Sequence, residues 1–104
     1  MSKENMGSYF QVAICQRAPE ASANDVVEIA QELQRWVSRQ PGFVGRRLIA
    51  SENNTYVDII EWVDSAAAEA AARATDHPDH AKMSRALALD GMAMHQGSAV
   101  SLLP

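Results

Sequence analysis

Asp58 and Trp62 stand four residues apart in a run of alternating character, so on a strand their side chains share one face. An indole gives a flat wall for stacking and one N–H donor. A carboxylate on an apolar face has its pKa raised and can take up a proton. Together they suit a site that holds a small aromatic ring and handles its proton, with Tyr56 on the same face. The same residues also fit an ordinary interior, with Trp62 and Tyr56 as packing and Asp58 paired to Arg46 or Arg47 of the neighbouring strand.

Three histidines widen the choice of proton carriers. His80 and His77, with Asp76 and Asp79, form a polar group around Pro78, and His80 can face the mouth of such a pocket. His95 lies in an otherwise apolar run and serves as a pocket base or as a contact to a second chain. An unperturbed imidazole titrates at about 6.5, where catalysis is convenient. Trp36 and Met83 can line an aromatic pocket or fill the core. The candidate catalytic set is therefore Asp58, Trp62 and His80, and the candidate substrate-binding set is Trp36, Tyr56, Met83 and His95. Two histidines three apart want a third ligand, and only the distant His95 offers one, so no metal is expected. No nucleotide-binding phosphate loop is expected either, since glycines 42 and 45 fall far short of a nucleotide fingerprint. Cys15 reads as a small buried hydrophobe.

The elements that must position these residues follow from periodicity. Residues 1–8 read as a flexible tail, and residues 9–104 as one domain. Tyr9 to Arg17 alternates at period two and forms a strand. Ser22 or Asn24 caps a helix running to about Gln40, with Val26, Ile29, Ala30, Leu33, Trp36 and Val37 on its packing face. Pro41 and Gly42 end that helix, and the asparagines at 53 and 54 accept positive φ, so Phe43 to Trp62 is a tight hairpin. Asp64 or Ser65 starts an alanine-rich helix that breaks near Pro78. A second helical piece runs from Asp79 to about Leu89, and a last strand from Met92 to Leu103, with Gly97 as a possible bulge. The order βαββαβ is the ferredoxin-like plan, an α+β fold whose four-stranded antiparallel sheet carries its helices on one face.

Composition narrows the partners. Thirteen acidic against nine basic residues, with no basic stripe, argue against nucleic acid. No apolar stretch has the length of a membrane span or a signal peptide, and the lone cysteine forms no internal disulfide, which points to a cytoplasmic protein with no membrane contact. The strands are apolar on both sides: Phe10, Val12 and Ile14 oppose Tyr9, Ala13 and Cys15, while Val57 and Ile59 oppose Tyr56 and Ile60. Helices cover only one of these faces, so a homodimer through the other sheet face is expected.

The run Pro41, Gly42, Phe43, Val44, Gly45, the strand Tyr56 to Trp62, and its exit through Val63, Asp64 and Ser65 into an alanine-rich helix resemble the antibiotic biosynthesis monooxygenase family of dimeric α+β barrels. The likeness in element order covers the chain from Tyr9 onward. It implies a homodimer with a pocket between each sheet and its helices. It also implies cofactor-free monooxygenation of a small aromatic or quinol-type substrate, in which a tryptophan or asparagine positions a substrate anion that itself activates oxygen. Trp62 matches the family's strand-end tryptophan. The family often carries a histidine nine or ten residues later, where this chain has Ala71 and Ala72, a departure that argues against its haem-degrading branch. The alternative on the same scaffold is a non-catalytic dimer that binds a small apolar metabolite or has a structural role.

Overall fold

The structure, a computed structural model, describes residues 8–78 and 80–100, with the side chain of residue 80 left out. Residues 1–7 of the expected tail 1–8, Asp79 and residues 101–104 lie outside the described residues, whereas Ser8 is tied to the sheet, its Oγ donating to Glu61 at 2.7 Å. The elements are β1 (Tyr9–Gln16), α1 (Ala23–Val37), β2 (Phe43–Ala50), β3 (Thr55–Trp62), α2 (Ser65–Ala72), α3 (His80–Ala86), a 3-10 turn (Leu89–Gly91) and β4 (Ala93–Ser98). The strands form one antiparallel sheet in the order β2-β3-β1-β4, the ferredoxin-like arrangement.

Local chemistry fixes the boundaries. Ser22 Oγ accepts from the Asp25 N–H at 3.1 Å, and the Asp25 carboxylate accepts from the Ser22 N–H at 2.8 Å, a reciprocal cap on α1. That helix stops at Val37, short of the expected Gln40, because the next turn tightens to i→i+3 bonds such as Gln40 N–H to Val37 O at 3.0 Å. Gly42, at φ +83°, then swings the chain into β2. Asn53 and Asn54 sit at φ 57° and 59°, the type I′ pattern, and the Thr55 N–H closes the turn on Glu52 O at 3.1 Å. Asp64 caps α2 by accepting from the Ala67 N–H at 2.9 Å.

Irregularity falls elsewhere than at Gly97. The β1–β4 ladder runs through Gly97 without a shift, whereas the β2–β3 register slips between Phe43 and Gly45, leaving Val44 as the extra residue. The expected final strand from Met92 also starts later, because the 3-10 turn still engages the Met92 N–H on Leu89 O at 3.1 Å.

All three helices pack on one face of the sheet. In one core cluster Trp36 and Val37 of α1 and Ala68 and Ala71 of α2 surround Trp62 of β3. In the other, Val26 and Ile29 of α1 and Ala86 of α3 meet Tyr56 at the far end of β3. The opposite face carries Phe10, Val12, Ile14, Val57 and Ile59, flanked by Ile49, which is 45% exposed.

Candidate functional site

Trp62 is 1% exposed and forms the centre of its cluster. Phe43 meets it edge-to-face at 6.1 Å between centroids, and α2 approaches closely because its packing face carries only methyl groups. The indole N–H donates to Gln11 Oε1 at 2.7 Å. Gln11 Nε2 in turn lies 3.4 Å from Gln96 Oε1, and the Tyr9 hydroxyl donates to the same oxygen at 3.2 Å. A polar chain thus leads from the buried Trp62 across β1 to β4, whose residues are all exposed. Sequence reading missed Tyr9, Gln11 and Gln96. Its available signal was Gln11 itself, an amide among Tyr9, Ala13 and Cys15 on the inward face of a strand.

Asp58 shares the Trp62 face but is not a free base. Arg46 Nε and Nη2 donate to its two oxygens at 2.8 and 2.7 Å, and the two side chains are 5% and 17% exposed. Arg46 Nη1 reaches Ala30 O at 3.0 Å and Gln34 Oε1 at 3.3 Å, so one guanidinium ties β2, β3 and α1 together. The pair of charges sits between the two apolar clusters. Nearby Cys15 is buried, and burial followed by the Asp58 charge pushes its thiol above the ordinary range, leaving it protonated and weakly nucleophilic.

The remaining candidates separate. Trp36 is buried beside Trp62, with its indole N–H donating to Asp76 Oδ1 at 2.9 Å and its ring tilted 32° against His77 at 4.3 Å between centroids. That hydrogen bond holds the Asp76 carboxyl below the usual carboxylate range. Tyr56 and Met83 pack in the second cluster, at the far end from Trp62. His80 is the first residue of α3, and its side chain lies outside the described residues. His95 pairs with Val12 across the ladder and so lies on the helix-free face, away from Trp62. The space between sheet and helices therefore does not include His95, because one step of register sends a side chain to the other side.

Among the described residues no group of three or more His, Cys, Asp and Glu side chains could hold a metal ion. On α2, Ala71 is buried against Trp62 and Ala72 is exposed, so that helix offers no axial ligand for a haem. A charged groove of about 770 Å³ between α1 and α3, lined by Glu28, Glu32, Arg35, Lys82 and Arg85 among others, is crossed by a Lys82–Glu32 ion pair at 2.8 Å. Trp62, Asp58, Tyr56 and Trp36 do not line it. No helix among the described residues is long and apolar enough to cross a membrane.

No family model matches the chain, and no curated protein matches it in sequence. Solved structures do share its architecture. SnoaB, a cofactor-independent oxygenase from Streptomyces nogalater, superposes with a TM-score of 0.80 at 21% identity, over 94% of this chain and 98% of its own. A protein from Caulobacter crescentus CB15, assigned provisionally as an antibiotic biosynthesis monooxygenase, gives 0.74 at 20% identity over 91% and 92%. The haem-degrading protein Rv3592 from Mycobacterium tuberculosis gives 0.66 at 16% identity over 94% and 98%. The chain shares its fold with these proteins, and that fold accommodates more than one chemistry.

Proposed function

We propose that the protein is a cofactor-independent monooxygenase of a small aromatic or quinol-type molecule, working as a homodimer joined through its helix-free sheet faces. The observation that carries this reading is the Trp62 indole, buried at the strand end and pinned by Gln11, on a fold shared with SnoaB along nearly the whole of both chains. In the reaction the substrate supplies its own electrons. An anthrone, for example, gives up its two methylene hydrogens, takes one atom of O₂ as a carbonyl and releases the other as water.

Trp62 is no proton carrier, since it is buried with its N–H engaged; it supports the site from behind by fixing Gln11. Asp58 is neutralised by Arg46 and keeps the sheet and α1 in place. The substrate must then ionise largely through its own acidity, with His80 at the start of α3 as the candidate to receive the proton.

Oxygen uptake tests this directly. Wild-type protein is expected to consume one O₂ per anthrone, and Trp62→Ala to lose the activity. The second reading, a non-catalytic binder of an apolar metabolite, is favoured by one specific observation: both indole N–H groups and the Asp58 carboxylate are satisfied within the chain. Absence of uptake with both anthrone and 1,4-dihydroxynaphthalene would leave that reading standing.

A further inference from the structure

We propose that Tyr9 and Gln11 form a binding site for one acceptor oxygen of a flat aromatic ligand, and that Gln96 occupies it as an internal placeholder. This rests on the reading of the protein as an oxygenase of a small aromatic molecule.

The argument begins with the indole, which can only donate. Because Trp62 Nε1 meets Gln11 at 2.7 Å, the atom facing it must be the amide oxygen, and the Gln11 NH₂ is forced to point the other way. It points toward β4. There the Gln11 NH₂ and the Tyr9 hydroxyl converge on a single atom, Gln96 Oε1, at 3.4 and 3.2 Å. Tyr9 and Gln11 are two apart on β1 and share a face, so their spacing is set by the strand.

The inner and outer bonds differ in quality. The Trp62–Gln11 bond is short and buried at one end, while both bonds to Gln96 are at or beyond the long end of the normal range. Gln96 is exposed on an edge strand and gives up rotamer freedom to hold its place. A rigid carbonyl or phenolic oxygen gives up none, and so can replace it. Donation from Trp62 also polarises the Gln11 amide and strengthens its outward N–H.

The surroundings define the rest of the ligand. On the same face as the Gln11–Gln96 pair the next partners are Ala13 and Met94, the latter 47% exposed, a small floor and an adaptable apolar flank. Arg46 and Asp58, the charged residues described on this face of β2 and β3, are spent on each other. The site therefore suits an oxygen whose charge is absent or spread over a ring, and not a carboxylate or phosphate that needs a counter-ion.

Calorimetric titration with 9-fluorenone and fluorene, which differ by the one acceptor oxygen, tests the site. The wild type is expected to bind fluorenone about tenfold more tightly than fluorene. Tyr9→Phe removes one donor, and Gln11→Glu keeps an acceptor for Trp62 while removing the other; each is expected to bring the two affinities close together. Gln96→Ala, by vacating the site, is expected to tighten fluorenone about threefold and leave fluorene unchanged. The Trp62 indole N–H resonance should move on fluorenone binding, while that of Trp36 stays. Melting curves establish that each variant is folded, and if Gln11→Glu is not, Tyr9→Phe and Gln96→Ala decide.

Equal affinity for the two probes, or weaker fluorenone binding in Gln96→Ala, overturns the site. If anthrone oxidation persists alongside either result, the oxygenase reading survives and only the donor pair falls. Failure to bind either probe overturns the site whatever the oxygen assay gives.

Discussion

Arg46 holds both carboxylate oxygens of Asp58 in a fork, with Nε to Oδ1 at 2.8 Å and Nη2 to Oδ2 at 2.7 Å, between the two apolar clusters of the helix-covered face. The same guanidinium reaches into α1 through Ala30 O. Asp58→Ala strands a nearly buried cation, and is expected to cost about 3–5 kcal/mol in urea denaturation. Arg46→Met combined with Asp58→Leu removes both charges and is expected to cost far less. A single Asp58→Ala variant as stable as the wild type would show that water reaches Arg46 after all.

Gly42→Ala is expected to be among the most damaging single-methyl additions. At φ +83° an alanine is strained by about 1–3 kcal/mol. Its Cβ would also stand 2.5 Å from Ala67 Cβ and 3.0 Å from Val63 Cγ2, so α2 must shift outward. Thermal melts of Gly42→Ala with and without Ala67→Gly separate the two causes, since only the contact is relieved in the pair.

Asp76 gives a pH dependence of defined sign. Its pKa is lowered in the folded protein, first by the Trp36 N–H. The folded state then binds fewer protons than the unfolded chain, so this contribution is present above the ordinary aspartate range and fades as pH falls through the folded value. Trp36 fluorescence is expected to change at that acid step, and Asp76→Asn to abolish it. The carboxyl is at the surface, and salt should weaken the effect.

The helix-free face predicts assembly. Light scattering at micromolar concentration is expected to give a mass of two chains, and Ile59→Asp, in the middle of the apolar patch with Val12 and Val57, to give one. A wild-type monomer would remove the dimer from the proposal.

Much of this architecture was legible in the residues. Asn53 and Asn54 pay little for positive φ, Ser22 and Asp64 are strong caps, and alternation in β1 and β3 assigns each side chain to a face, so element order followed. Side-chain partners across the sheet were less accessible. Asp58 admitted both a base and an ion pair with Arg46, and only the register setting Asp58 beside Leu48, with Arg46 one inward step away, decides it. A bulge suggested by Gly97 in β4 occurs instead at Val44 of β2. The role of Gln11 depends on Trp62, 51 positions away, and so leaves little mark in the local sequence.

Helix α2 rests on the sheet through alanines alone. A methyl group has no rotamers, so this helix cannot absorb a change beneath it by reshuffling side chains. Any displacement of Trp62 must be met by moving the helix as a whole, and its Ala67 is already in close register with Gly42 at the entry to β2. The indole, the helix and the start of the hairpin are therefore packed together with little side-chain freedom between them.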